Sequence, residues 1–331
     1  MFNAVRLGNS NEAHYIRFMI FSLGSVNADF QMRLPRQFQP GETLLAEQFV
    51  RLSGGKAANR AYLAHKLGRD ARLIGRVGDD DLATQALAGL RKAGLALDLV
   101  TVAKGMSTAI SIIAVPPDAK KTILLAPNAN DEWDQAAIRA NAAVFAAAPS
   151  GALLTIDCEI APKAVTGAVE AAQACNLRII IDPAPANRAQ PGLLKSAYAL
   201  TPDAREAGEL TGTDTSSLQG ACAAARQLAA LGPAIICVKL TDGGCVLAHG
   251  GGLTHIPPTK IDVVDTTGAG DAFTGALAVA LAEDMPPLQA AIFATAASHC
   301  AVTRFGSQEA YPTRDEIEAL IPALTQHRHE L

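Results

Sequence analysis

The stretch "VDTTGAGDAFTGAL", Val264 to Leu277, sets Asp265 and Asp271 six positions apart around a run of small residues that leads into an apolar segment. Three kinds of structure use so much bare backbone between two acids: a tight turn with a helix N-cap, a cofactor fingerprint, or a cradle for a transferring phosphate. The Walker pattern G-x-x-x-x-G-K-[ST] is absent, and the glycine after Gly270 is Gly275, not the position that a dinucleotide fingerprint requires. The remaining reading is a helix that starts near Gly268 to Gly270, whose unpaired N–H groups favour negative charge, including that of a phosphoryl group in flight. Phe273, Leu277 and Leu281 share a helical face with Asp271 roughly opposite, so the spacing predicts a carboxylate clear of the apolar stripe.

The elements that must position these residues alternate. Short apolar runs such as "FMIFSL" (18–23), "ARLIGRVG" (71–78), "ALLTID" (152–157), "RIIID" (178–182) and "AIICVKL" (234–240) read as strands, with helical segments between them. That alternation predicts an α/β fold with a doubly wound, mostly parallel sheet covered on both faces. Asn27, Asp29, Glu159, Asp182, Asp203, Thr241 and Asp265 each follow a predicted strand, which would gather them on one rim where ligands bind. For each acid alone, capping a helix is the competing explanation. Two segments, about 28–53 and 105–126, have exposed β patterning and read as a flap or lid. The helical C-terminal third comprises Gly270 to Ala282, Pro286 to about Thr303, and Arg314 to about Leu324. Residues 1–17 read as an N-terminal extension, 18–324 as a single domain and 325–331 as a solvated tail.

Bulk properties narrow the partners. Net charge is −4 with 18% charged residues, which gives no electrostatic footprint for nucleic acid or an anionic membrane, and small molecules are the expected ligands. No apolar run reaches the roughly 18 residues a membrane span needs, and the first residues lack signal-peptide character. The six cysteines form no C-x-x-C pair and read as buried free thiols in a cytoplasmic protein.

Four motifs in order resemble the ribokinase-type carbohydrate kinases (the PfkB family): "GSVNAD" (24–29), "GGKAAN" (54–59), "DTTGAGDAFTGA" (265–276) and "AVTRFGS" (301–307). The resemblance implies an ATP-dependent kinase acting on a sugar's primary hydroxyl, with magnesium and a potassium ion, and a small β lid through which two copies pair. It implies Asp271 as the base and the backbone of Gly268, Ala269 and Gly270 as the anion hole. Asn27, Asp29, Gly55, Lys56, Asn59 and Glu159 would bind the sugar. "TPDAREAGELTG" (201–212) and "KLTDGG" (239–244) resemble the nucleotide segments, which assigns Asp203, Glu206, Lys239, Thr241 and Gly244 to ATP, with Thr295 near the adenine. Glu206 would order the magnesium hydration, and Asp265, Thr267, Ala301, Arg304 and Gly306 would form the monovalent-cation site.

The chain departs from the family pattern at four places: Asp203 replaces an asparagine, Ala57 a glycine, Thr295 an asparagine or histidine, and Ala310 a hydroxyl residue. D-ribose is the expected substrate, with other pentoses, ketohexoses, sugar acids and nucleosides as rivals in the same class. A non-catalytic sugar- or nucleotide-binding protein of the same fold is the rival from another class.

Overall fold

In the computed structural model, residues 19–118, 120–326 and 328–330 are described; the predicted extension and Phe18 lie outside them. The first apolar run forms β1 (Met19–Leu23), and the chain then crosses directly into β2 (Asn27–Arg33), which pairs with β3 (Gln48–Gly54). Next come α1 (Lys56–Lys66), β4 (Asp70–Gly78), α2 (Leu82–Lys92), β5 (Val100–Ala103), β6 (Ala109–Val115) and β7 (Thr122–Ala126). The middle of the chain holds α3 (Gln135–Ala146), β8 (Leu153–Asp157), α4 (Pro162–Ala174), β9 (Arg178–Asp182), α5 (Pro191–Lys195), β10 (Ala199–Leu200), α6 (Ala204–Thr211) and α7 (Leu218–Ala229). It closes with β11 (Ile235–Lys239), β12 (Cys245–His249), β13 (Gly252–Ile256), α8 (Ala269–Ala282), α9 (Pro287–Ala301), α10 (Arg314–Gln326) and β14 (His329–Glu330).

Among the described residues, the large sheet runs β14-β13-β12-β11-β10-β9-β8-β1-β4-β5, parallel from β11 to β5 and antiparallel beyond β11. Its strands are apolar on both sides because each face carries its own core. One core joins α1, α2, α8, α9 and α10 to the sheet, and the other joins α3, α4, α6 and α7. From β1 the chain builds outward through β4 to β5, and from β8 it builds the other way. The strand order therefore reverses between β1 and β8, and this reversal opens a crevice at their carboxyl ends. The expected lid is the separate sheet β3-β2-β6-β7.

Several expectations change. Asn27 and Asp29, which follow β1 as expected, already belong to β2, the first lid strand. Asp265 does not directly follow a strand, because residues 257–268 between β13 and α8 are irregular chain. The supposed tail is not loose: His329 and Glu330 pair with His255 and Thr254, adding an edge strand. Helix α8 is buried from Asp271 to Ala282, so the face opposite the apolar stripe is covered as well. The cause is its small-residue composition, which lets α1 and α9 close on it; a Cβ added at Gly275 would lie 3.4 Å from the Arg60 Cα. No helix of the described residues is long and apolar enough to cross a membrane.

Candidate active site

The N-terminus of α8 is set by Gly268, whose φ of 73° is a left-handed cap that a side chain disfavours. A Cβ there would also lie 2.7 Å from the Tyr311 hydroxyl, which donates to the Gly268 carbonyl at 3.1 Å. The Ala269 N–H bends back to the Thr266 carbonyl at 3.3 Å, which leaves Gly270 and Asp271 in the first turn, where intrahelical acceptors are lacking. Asp271 is 6% exposed; its Oδ2 accepts from Asn59 Nδ2 at 2.8 Å, and its buried Oδ1 has no partner. An added Cβ on Gly270 would meet Lys239 Nζ at 3.4 Å, so an ammonium flanks the same turn.

Across the crevice, the first lid strand presents a second orphan, Asp29 Oδ1. Burial pushes the Asp29 carboxyl up to about 7, against a hydrogen bond from Ser111 and with help from Glu159 and Asp271. Gly54 makes room for it, since a Cβ there would stand 2.0 Å from Asp29 Oδ2. Gly55 is held at φ 95° and passes so near Ser25 that a Cβ would sit 2.4 Å from its carbonyl oxygen. Ser25 Oγ accepts from the Lys56 N–H at 2.8 Å and donates to Glu159 at 2.9 Å, while Lys56 Nζ stands 3.6 Å from Glu159. Burial opposes the Lys56 charge, but Glu159, Asp271, Asp182 and Glu206 together hold it above the ordinary lysine value. Asn27 is occupied: it donates to Ser111 at 3.1 Å and accepts from Asn130 at 2.8 Å, so one donor and one lone pair remain for a ligand.

On the other side of α8, Asp203 and Glu206 form a capping box at the start of α6, with Asp203 Oδ1 on the Glu206 N–H at 2.7 Å and Glu206 Oε2 on the Asp203 N–H at 2.8 Å. The helix-cap explanation thus holds for Asp203. Burial raises the Glu206 carboxyl, Asp182 adds to this, and Lys239 opposes it. Thr241 is exposed on the turn that follows β11, and the Gly244 N–H closes that turn on Asp242 at 2.9 Å. Thr295 is interior to α9 with its hydroxyl on the Ala291 carbonyl at 2.8 Å. One turn later, His299 reaches the Gly243 carbonyl and the Thr259 hydroxyl, each at 3.1 Å. The i,i+4 spacing from Thr295 was the available signal for His299, which the sequence reading passed over.

Asp265, assigned to the monovalent-cation site, has a side chain fully engaged by the protein. Its Oδ1 accepts from the Thr267 N–H at 2.8 Å and hydroxyl at 2.7 Å, and its Oδ2 from Gln31 Nε2 at 2.5 Å and the Gly306 N–H at 3.0 Å. Those donors fill the roughly four lone-pair directions of a carboxylate, so the side chain is a clamp. Ala301 ends α9 in full burial, Arg304 pairs with Glu316, and Ala310 is enclosed beside Ser307, whose buried hydroxyl lacks a partner. A monovalent cation at this loop would depend on backbone carbonyls and that hydroxyl, which are hard oxygen donors of the right kind.

Two features escaped the sequence reading. Arg60, 1% exposed, pairs with Asp157 at 2.6 Å and with Asp182 at 3.5 Å, and Asp182 continues to Lys239 at 3.2 Å. This alternating chain of charges runs under the crevice from the sugar-side residues to the α8 turn. Lys121, at the start of the last lid strand, donates to the Thr266 carbonyl at 2.6 Å. Both involve residues far apart in sequence, which periodicity does not pair.

The pfkB family carbohydrate kinase profile matches residues 17–314. The chain is 31% identical over 300 residues to a ribokinase of Bacillus subtilis, covering 90% of this chain and 98% of that protein. It is 29% identical over 294 residues to a ribokinase of Haemophilus influenzae, covering 89% and 95%. Among solved structures, it resembles Arabidopsis thaliana ribokinase complexed with ribose and ATP, with TM-score 0.78, 27% identity, and coverage of 92% and 98%. Thermotoga maritima ribokinase gives TM-score 0.77 at 30% identity, with coverage of 93% and 100%. The family implied by the four motifs is therefore the right one, and this chain belongs to the pfkB family of carbohydrate kinases.

Proposed function

We propose that this kinase transfers the γ-phosphoryl group of ATP to the primary hydroxyl of D-ribose, giving ribose 5-phosphate. The observation that carries the reading is the orphaned, buried Oδ1 of Asp271 at the first turn of α8, facing a crevice with a second orphan at Asp29 Oδ1. Two carboxylate oxygens without protein donors suit a ligand rich in hydroxyls, which supplies donors to both. The ribokinase complexed with ribose and ATP supports the choice of substrates.

In this reading Asp29, Glu159, Lys56, Asn59 and the backbone of Gly55 hold the secondary hydroxyls, assisted by the remaining amide capacity of Asn27. The primary hydroxyl lies on Asp271 Oδ1, which accepts its proton as the oxygen attacks the phosphorus. The N–H groups of Gly270 and Asp271 and the Lys239 ammonium take up charge on the transferring group; for a loose transition state such placement matters more than base strength. Asp203 and Glu206 would offer hard oxygen acceptors to hydrated magnesium, whose chemistry would be charge neutralisation on the phosphates. Thr241 and Gly244 line the nucleotide turn, and His299 backs it. The outer lid face exposes Phe49 at 55%, Ile112 at 37% and Leu124 at 60%, which supports pairing of two copies through the lid. A cytoplasmic location accords with this substrate pair.

The test is ADP release with D-ribose, fructose, 2-keto-3-deoxygluconate and adenosine, with and without potassium. Ribose is expected to give the highest kcat/KM. A higher value for another acceptor would reassign the substrate, and no turnover on any of them would favour a binding protein.

A further inference from the structure

The two oxygens of Asp271 are treated unequally by the fold. Oδ1 is orphaned, whereas Oδ2 is held at 2.8 Å by Asn59, and Asn59 Oδ1 in turn accepts from Gln308 Nε2 at 3.1 Å. All three side chains are enclosed, with Gln308 1%, Asn59 4% and Asp271 6% exposed. They come from three separate segments: the loop after α9, helix α1 and helix α8. Gln308 is packed closely on its far side too, since a Cβ added at Gly89 would lie 2.6 Å from its Oε1.

The consequence follows from the symmetry of a carboxamide. An asparagine turned over keeps its shape but exchanges donor for acceptor. While Asp271 is ionised, only the Asn59 amide N–H can face it. Once Asp271 has taken the hydroxyl proton it can also donate, and a reversed Asn59 would then stabilise the protonated acid through Oδ2. Reversal would set the Asn59 amide nitrogen against Gln308 Nε2, donor against donor, unless Gln308 turned with it, and that turn would bury the Gln308 NH2 beside Gly89, where its Oε1 now stands without a partner. Hydrogen bonds to the charged form keep a carboxylate's proton affinity low, and hydrogen bonds to the neutral form raise it.

We propose that Gln308 is a positioning residue: by occupying Asn59 Oδ1 it keeps Asn59 a donor to Asp271 Oδ2, which reserves Oδ1 for the substrate hydroxyl. This rests on Asp271 being the base. Gln308 touches no reacting atom and acts through Asn59 alone. Because it sits two residues after Gly306, the order of that loop reaches the base through two side chains.

The test uses Gln308→Met, Gln308→Glu, Asn59→Ala, the Asn59→Ala/Gln308→Met double variant and Asp271→Asn in the full chain. Gln308→Met is expected to lower kcat roughly 10-fold, leave the sugar KM within about twofold, and move the acid limb of the kcat–pH profile upward by about one unit. In the Asn59→Ala background the same change is expected to have no further effect on kcat, because the route through Asn59 is already cut. Gln308→Glu keeps the shape and donates only when protonated, so its kcat should fall with rising pH where the parent's rises; it carries the test if the methionine variant does not fold. A Gln308→Met enzyme with the parent kcat and pH profile, or additive losses in the double variant, would overturn the proposal. An Asp271→Asn variant with normal turnover would overturn the base assignment and this inference together, which separates that failure from a failure of Gln308 alone.

Discussion

Lys121 at the edge of the lid donates to the Thr266 carbonyl at 2.6 Å, and so fastens the lid to the turn that leads into α8. Its ammonium is partly desolvated, which lowers its proton affinity to about 8, while Asp265 pulls the other way, Lys56 opposes the charge, and Asp271 and Asp29 favour it. The charged form makes the bond, so activity that depends on a closed lid should decline as pH rises through about 8. Lys121→Arg should retain activity to higher pH, because a guanidinium stays protonated. Lys121→Met should lose activity at all pH values. Initial rates from pH 6 to 10 decide the matter; identical alkaline limbs in the parent and Lys121→Arg would count against the latch.

Asp29 gives a stability prediction of definite sign. Burial pushes its carboxyl up to about 7 in the fold, well above the ordinary aspartate value, so the folded chain holds a proton that the unfolded chain releases at lower pH. A raised carboxyl contributes stability that is present at low pH and lost as pH rises through about 7. Asp29→Asn, which never ionises, should therefore melt a few degrees above the parent at pH 8, match it more closely at pH 5, and bind sugar poorly. Thermal melts without sugar at both pH values are the measurement, and a lower melting temperature at pH 8 would contradict the burial argument.

Asp271→Asn keeps the shape of the side chain and removes the base. It should reduce kcat about 100-fold to 10,000-fold with sugar affinity mostly intact. Turnover and sugar binding measured on the same preparation separate the two effects.

The buried chain from Asp157 through Arg60 and Asp182 to Lys239 should behave as a unit. Arg60→Met leaves the Asp157 carboxylate without its cation and Asp182 with Lys239 alone, and should cost about 3–5 kcal/mol in urea unfolding. Neutralising Asp157 in the same chain, as Arg60→Met/Asp157→Asn, should recover part of that loss. A double variant less stable than the single one would show that the ion pair is not the source.

Legibility in the sequence followed the range of the interactions. The glycines of 54–55 and 268–270 could be read because a close approach or a left-handed cap restricts residue type at the position itself. The lid strands could be read from their exposed β patterning, and the doubly wound sheet from the βα rhythm. The direction in which a side chain points was a different matter. The spacing places Asp271 clear of the apolar stripe, yet it is enclosed, because α1 and α9 pack against α8, and helical periodicity carries no information about a second neighbour. Thr295 and His299 share a face by spacing, yet only His299 reaches the nucleotide turn, since the threonine hydroxyl is spent on its own helix. Arg60, Lys121 and Gln308 went unnoticed because their partners lie between 97 and 249 positions away.

The saturated carboxylate of Asp265 draws together Gln31 from the lid, Thr267 beside the α8 turn and Gly306 from the loop near the chain's end. During synthesis, the lid and most of the sheet emerge long before that last donor exists. A chain that stops short of Gly306 therefore carries the residues of strands β1 to β13 but lacks the last donor to Asp265. The clamp on Asp265 closes only in a polypeptide that extends through Gly306.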